Sequence, residues 1–244
     1  MTIIQLVLYI ALLALLLTGA QQFMGKKIIK NFLVSLLQNF AGGLFIISGV
    51  VKAVDPLGTA YKMEQYFAEF QSTFAGSGMA SLAPLFPKLA EHANAFSVSM
   101  IVLEIVLGVA LLLGAAKKLT AWAFFLLVLL FTFLTGFTYL TGYVPEGVNF
   151  FSFSQWGAYE PTNMKVTDCG CFGDFIKLEP RISFYKDLFL LIPSLVFLFF
   201  NKSFHVLTQG NWRAVAVGLF MFVSVAIIYL TGYNVGWRLL ALMV

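Results

Sequence analysis

The sequence predicts an all-α protein that crosses a membrane several times as a helix bundle. Hydrophobic residues make up 60% of the 244-residue chain and charged residues only 11%, whereas about 25% charged residues is usual in soluble domains. The apolar residues form runs long enough to cross a bilayer, and the basic residues fall between alternate runs. Together these observations indicate a polytopic membrane protein.

Six apolar runs are candidates for membrane-spanning helices, because a helix needs about 20 apolar residues to cross the hydrocarbon core. They cover residues 3–19, 31–51, 95–116, 119–143, 183–200 and 213–231. The first run is short and lacks the basic segment that begins a cleavable signal peptide. We therefore expect it to be an additional helix that is not cleaved.

These runs divide the chain into a core and two additions. The prediction is a four-helix core at 24–201, with two long outward loops at 52–94 and 144–182. An extra transmembrane helix precedes the core at 1–23, and a C-terminal transmembrane helix with a short tail follows it at 202–244.

The basic residues of the short loops predict the orientation of the chain. These residues are Lys26, Lys27 and Lys30, then Lys117 and Lys118, then Lys202 and Arg213. The positive-inside rule places their loops in the cytoplasm. We therefore expect a multi-pass protein whose two long loops face outward; in a bacterial cell this means the inner (cytoplasmic) membrane, with the loops in the periplasm. The bilayer is its predicted partner, and the scattered basic residues give no support to a nucleic-acid partner.

The chain has two cysteines, Cys169 and Cys171, in the stretch VTDCGCFGDF at 166–175. In the periplasm a thiol pair is expected to be oxidised or to cycle. A disulfide across one residue closes too small a loop to stabilise the fold, but its strained geometry would make it easy to reduce. Gly170 supplies the backbone freedom that such a ring needs. The pattern favours thiol-disulfide exchange.

The residues around the cysteines bear on their reactivity. Asp168 and Asp174 disfavour a thiolate, and Gly173 allows a further turn of the loop. Two other interpretations remain open at this stage. The thiols and carboxylates could bind a metal, although a closed zinc site needs four ligands, usually at wider spacing. The cysteines could also be inert loop residues, which an oxidising compartment disfavours.

Glu104 is a carboxylate near the middle of the third apolar run. A charge at that depth costs about 2.5–3.5 kcal/mol on insertion scales, so Glu104 should face the bundle interior and have a partner. Gln38 and Asn39 are candidates, as is Lys52 if its side chain reaches inward. Two roles stay open: a tie between helices, or a proton relay that serves thiol oxidation or quinone reduction.

The first long loop is predicted to be structured. Asp55 is a good N-cap, since Pro56 follows it at the first helical position. Apolar residues then recur at helical spacing up to the break at Gly76-Ser-Gly78, which indicates an amphipathic helix. A second short helix is predicted from about Ser81 to His92.

Four stretches carry a resemblance to a known family: FIISGVVKAVDPLGTAYKMEQYF at 45–67, IVLEIVLGVALLLG at 101–114, FTFLTGFTYL at 131–140 and DCGCFGD at 168–174. They resemble the DoxX/MauE group of redox-associated bacterial membrane proteins, in the version found in Bacteroidetes, from about Met24 to about Phe200. The resemblance implies a four-helix membrane bundle linked to periplasmic thiol chemistry. This chain has an extra helix before the matching region and one further span after it.

The resemblance also shapes the functional hypotheses. Cys169, Cys171 and Glu104 are the candidate catalytic residues of a thiol-disulfide oxidoreductase, with Lys52 and Asp55 supporting. The predicted partner is a periplasmic or membrane protein, such as a thioredoxin-like one. A quinone is a candidate electron acceptor, and no metal is predicted. The alternative is a non-enzymatic accessory or anchoring subunit of a larger envelope complex.

Overall fold

The computed structural model describes residues 2–23, 29–166, 176, 178–207 and 212–230. The helices in these ranges are α1 (Ile3–Phe23), α2 (Phe32–Val54), α3 (Pro56–Ala75), α4 (Leu85–Ala90), α5 (Ala93–Leu113), α6 (Lys117–Thr141), α7 (Pro180–Phe200) and α8 (Trp212–Ile228). Short 3-10 turns occur at Ala80–Leu82, Phe153–Gln155, Pro161–Asn163 and Asn201–Ser203.

The predicted class is confirmed, because the described residues form helices and turns and five of the helices are long and apolar enough to cross a membrane. These five are α1, α2, α5, α6 and α7. The predicted sixth span corresponds to α8, which is apolar but has only 17 residues. The protein is therefore a multi-pass membrane protein.

The core is built from two pairs of neighbouring helices. Helix α2 packs mainly on α5, and α6 packs mainly on α7. The pairs meet around aromatic rings: the centroid of Phe124 lies 4.5 Å from that of Phe45 and 5.5 Å from that of Phe197. Helix α1 packs on α2, and α8 packs on α5. Helices α2, α5, α6 and α7 therefore form the centre of the bundle, with α1 beside α2 and α8 beside α5.

The bundle has two chemically different ends. At the basic end, the Lys30 ammonium donates to the Lys202 carbonyl (3.2 Å) and the Leu207 amide donates to the Leu113 carbonyl (3.3 Å), which brings these segments together. At the loop end, the two long loops meet, since the Asn149 side chain donates to the Thr73 carbonyl (2.8 Å). The short basic segments and the long loops therefore lie at different ends of the bundle.

Helices α2 and α5 approach each other closely along glycines. A Cβ atom at Gly42 would lie 2.8 Å from the Gly108 carbonyl oxygen, and one at Gly49 would lie 2.6 Å from a side-chain carbon of Ile105. Small residues let the backbones of two membrane helices approach closely. The resulting van der Waals packing stabilises the pair in lipid, where the hydrophobic effect does not drive helices together. The glycines therefore determine the register of this antiparallel pair.

Helix α3 closes the loop end. Its N-terminus forms as predicted: the Asp55 carboxylate accepts from the Gly58 amide at 3.0 Å, and Pro56 occupies the first turn. Gly76 ends the helix. Tyr66 and Phe70 on its inner face are buried. The predicted second helix is shorter than expected, because α4 covers only Leu85–Ala90.

His205 closes the basic end. Its side chain is fully buried, and its amide donates to the Gln38 side chain at 2.9 Å. The ring Nε2–H donates to the Leu112 carbonyl at 2.8 Å, so Nδ1 is an acceptor without a partner among the described residues. Burial lowers the pKa of His205, since a proton on Nδ1 would be buried with nothing to accept it.

The close contact between Gly42 and Gly108 predicts that alanine at Gly108 destabilises the protein, although alanine normally stabilises a helix relative to glycine. Alanine stabilises a helix by about 1 kcal/mol relative to glycine, but a Cβ at Gly108 would lie 2.7 Å from the Gly42 carbonyl oxygen. We expect Gly108→Ala to lower the thermal unfolding midpoint in detergent. Gly218→Ala, whose Cβ would meet nothing within 4 Å, should leave the midpoint unchanged or raise it. A Gly108→Ala variant as stable as Gly218→Ala would contradict the close contact.

Burial of His205 predicts a loss of stability at low pH. The unfolded residue has a pKa of about 6.5, whereas the folded pKa is lower. Below about pH 6.5 the unfolded chain therefore binds the extra proton, and the free energy of unfolding falls. We expect His205→Gln to reduce the drop in unfolding midpoint between about pH 7.5 and pH 5.5. The control is His92→Gln at the exposed start of α5, which should keep the full drop.

Candidate functional site: a buried ion pair

The most unusual group in the bundle is an ion pair between Lys52 of α2 and Glu104 of α5. Their side chains are 5% and 1% exposed, and the ammonium contacts carboxylate oxygen Oε1 directly. The Ser48 hydroxyl donates to the other oxygen, Oε2, at 2.8 Å. Of the partners considered from the sequence, Lys52 is the one that the structure brings to Glu104.

The register of α2 and α5 explains this pairing. Gly49 lies against Glu104 and Ile105, where its Cβ would be 3.2 Å from the Cβ of Glu104. Ser48 and Lys52 are four residues apart and so share one helix face. Lys52 lies one turn nearer the loop end, and side chains on a helix lean towards its N-terminus. For α2 this direction leads to Glu104.

Because the pair is buried, neutralising either Lys52 or Glu104 would be energetically costly. The Lys52 ammonium lies over the ring of Phe131 on α6, 4.9 Å from the centroid, which adds a cation–π contact. Desolvation of two charges costs several kcal/mol per ion, and direct contact with extra hydrogen bonds must offset it. A change of protonation on either partner would leave the other charge without its counter-ion. The pair therefore ties α2 to α5 and sets its cation against α6.

Gln38 and Asn39 are not partners of Glu104, and this part of the prediction was wrong. Asn39 donates to Thr18 at 2.8 Å and to Gln21 at 3.0 Å, which ties α1 to α2. Gln38 donates to the Leu111 carbonyl at 3.1 Å and accepts from the His205 amide. Both lie towards the basic end, whereas Glu104 is level with Ser48 and Gly49.

A second buried carboxylate was missed by the sequence analysis. Asp187 of α7 is 1% exposed, contacts the Lys186 ammonium directly and lies 3.0 Å from the Thr135 hydroxyl of α6. The available signal was an aspartate inside the apolar run 183–200, where a charge needs a partner. One turn before Asp187, the fully buried Ser183 hydroxyl has no partner among the described residues.

The threonines of α6 tie their own helix and reach its neighbours. The hydroxyls of Thr132, Thr135 and Thr138 lie 2.8 to 3.0 Å from carbonyls of the preceding turn, which is the usual bonding of threonine within a helix. Thr138 also lies 3.0 Å from the Tyr66 hydroxyl. The loop half of the bundle thus contains two buried carboxylates and a set of hydroxyls.

The cysteine motif lies outside the described residues. This holds for Cys169 and Cys171 and for the flanking Asp168, Gly170, Gly173 and Asp174. The nearest described residues on each side, Val166 and Ile176, are both buried. Val166 packs in one apolar cluster with Tyr66 of α3 and Phe137 of α6, while Ile176 belongs to the main core. Asp55, the other supporting candidate, is exposed, and its carboxylate caps α3.

Comparison with known proteins gives one family match. Residues 30–146 match the family model described as methylamine utilisation protein MauE. This segment is similar to MauE. It runs from just before α2 to just after α6, so it includes Lys52 and Glu104 and leaves out the cysteine motif. The match is shorter than the resemblance seen in the sequence from Met24 to Phe200. No curated protein and no solved structure matches the chain.

The buried ion pair predicts strong coupling between its two members. Glu104→Gln leaves the Lys52 ammonium buried without a counter-charge. Lys52→Met leaves the Glu104 carboxylate buried without a counter-charge. We expect each single variant to lose about 3–5 kcal/mol of unfolding free energy. The double variant Lys52→Met/Glu104→Gln should recover most of this loss, because it buries no unpaired charge. The measurement is a double-mutant cycle in detergent.

An ion pair with an exposed lysine provides the matched control for this cycle. Lys165 lies 3.5 Å from Glu69, and the lysine side chain is 66% exposed. Glu69→Gln should therefore cost less than about 1 kcal/mol. Losses that simply add in the Lys52 and Glu104 double variant would show that the two residues are not coupled.

Proposed function

We propose that this chain exchanges disulfides with envelope proteins through Cys169 and Cys171, with Glu104 and Lys52 as the buried group that handles the proton. The protein sits in the bacterial inner membrane, with its basic end in the cytoplasm and its loop end in the periplasm. The orientation rests on the positive-inside rule, since the basic loops gather at one end.

Thiol-disulfide exchange conserves electrons and protons between the two proteins. Two thiols become a disulfide when they lose two electrons and two protons. In exchange with a partner protein, a thiolate attacks the partner disulfide, a mixed disulfide forms, and the second thiolate resolves it. The partner leaves as a dithiol, having taken up the two electrons and two protons. Each attacking thiol must first lose its proton, which requires a nearby base.

The observation that carries the proposal is the buried Lys52–Glu104 pair in the segment that matches MauE. A family named for methylamine utilisation favours a role in a redox system. A carboxylate inside a membrane bundle is costly to keep and typically marks a proton or ion pathway. The burial of Val166 and Ile176 ties both sides of the cysteine motif to the bundle that holds this pair.

Trapping of the cysteines tests the proposal. The full chain is expressed in cells, pulsed briefly with a reductant, and alkylated at intervals after its removal. We expect Cys169 and Cys171 to be reduced by the pulse and then re-oxidised by disulfides of partner proteins, which take up the two electrons and two protons. Cys171→Ser leaves a single thiol that cannot resolve a mixed disulfide, so this variant should hold a covalent partner that a reductant releases.

The control is the variant Cys169→Ser/Cys171→Ser, which should capture no partner. A wild-type pair that stays reduced, together with Cys171→Ser that captures nothing, would contradict thiol exchange. That result would favour the alternative function, in which the chain is a non-enzymatic accessory subunit of an envelope complex.

A further inference from the structure

Three basic side chains from separate parts of the sequence converge at the basic end, and we name them the cation cluster. Each donates one hydrogen bond to a backbone carbonyl: Lys30 to Lys202 (3.2 Å), Lys117 to Phe204 (2.9 Å) and Arg213 to Gly114 (3.3 Å). Lys30 precedes α2, Lys117 begins α6, and Arg213 lies in the first turn of α8. The cluster therefore joins three helix ends around the turn at 201–207.

The cation cluster has no counter-charge from the surrounding sequence. Lys30 and Arg213 are both close enough to Lys117 to repel it. None of the 11 aspartates and glutamates of the chain lies at 24–31, 114–118 or 201–213, the segments between the spans at this end. Like charges brought together without an anion raise the energy of the fold. An anion from outside the chain would remove this cost.

The cluster also has unused hydrogen-bond donors. A lysine ammonium carries three N–H groups and an arginine guanidinium five, whereas each of these side chains makes a single hydrogen bond within the described part of the chain. The matching ligand has a negative charge and several acceptor oxygens. A phosphate group meets both requirements.

We propose that Lys30, Lys117 and Arg213 bind the phosphate of an anionic phospholipid. A lipid is favoured over free phosphate because exposed apolar residues flank two of the cations in the sequence. Trp212, which is 74% exposed, precedes Arg213, and Leu119, which is 71% exposed, follows Lys117 by two residues. Tryptophan prefers the headgroup level of a membrane, so acyl chains can cover these apolar side chains while the phosphate meets the cations. Basic pockets between helix ends bind lipid headgroups in this way.

Lipid binding to the purified full chain in detergent tests the proposal. The thermal unfolding midpoint is measured with increasing phosphatidylglycerol, phosphatidylcholine or inorganic phosphate. We expect phosphatidylglycerol to raise the midpoint, because a ligand that binds the folded state stabilises it. Phosphatidylcholine, which is zwitterionic, and inorganic phosphate should change the midpoint little at the same concentration. Stabilisation by inorganic phosphate equal to that by phosphatidylglycerol would overturn the assignment to a lipid.

Variants locate the site. Each basic residue near an anionic headgroup contributes roughly fivefold to affinity, so Lys30→Gln/Lys117→Gln/Arg213→Gln should weaken phosphatidylglycerol binding about 100-fold. If the triple variant does not fold, the three single variants, with an expected loss of roughly fivefold each, replace it. Unchanged affinity in these variants would overturn the proposal.

A charge-matched control distinguishes binding at the cation cluster from a general attraction of anionic lipid to a basic protein. Lys62→Gln/Lys88→Gln/Lys165→Gln removes the same charge from the loop end and should keep wild-type affinity for phosphatidylglycerol. An equal loss of affinity in this control would show that only net charge matters, and it would also overturn the proposal.

Discussion

The backbone contact between α2 and α5 is the constraint on which the rest of the structure depends. Gly42 and Gly108 bring the two helices so close that their register cannot slide by a residue without a clash. This register puts Glu104 level with Ser48 and within reach of Lys52. A slip of one residue would move Glu104 out of line with both of these partners. The glycines and the ion pair therefore depend on each other, and each explains why the other is found in an apolar bundle.

The half of the bundle nearer the long loops contains buried charged and polar side chains. A core packed with apolar residues could be as stable without them. Buried ion pairs are often no better than well-packed apolar residues, yet this half contains Glu104 with Lys52 and Asp187 with Lys186. Thr135 joins α6 to Asp187. The described basic half instead contains neutral ties such as Gln38 and a neutral His205. Charge inside the described bundle is thus placed in the half nearer the long loops.

The sequence predicted well what hydropathy and local chemistry determine. The spans followed from the thickness of a bilayer, and the start of α3 followed from Asp55 and Pro56. It predicted poorly what depends on register between helices. Gln38 and Asn39 seemed level with Glu104 because position along a span gives only approximate depth, and the glycines that set the true level are recognisable only once the helices are packed. Asp187 was missed because it lies close to the start of a span, where a charge often reaches water.

The central claim is that proton binding at Glu104 follows the redox state of the cysteines. Infrared difference spectroscopy of the full chain, reduced minus oxidised, tests it directly, since a carboxyl that gains or loses a proton changes its C=O stretch. We expect a carboxyl band in the wild type that is absent from Lys52→Met/Glu104→Gln and unchanged in Asp187→Asn. A difference spectrum without a carboxyl band, or with one that survives loss of Glu104, would contradict the claim.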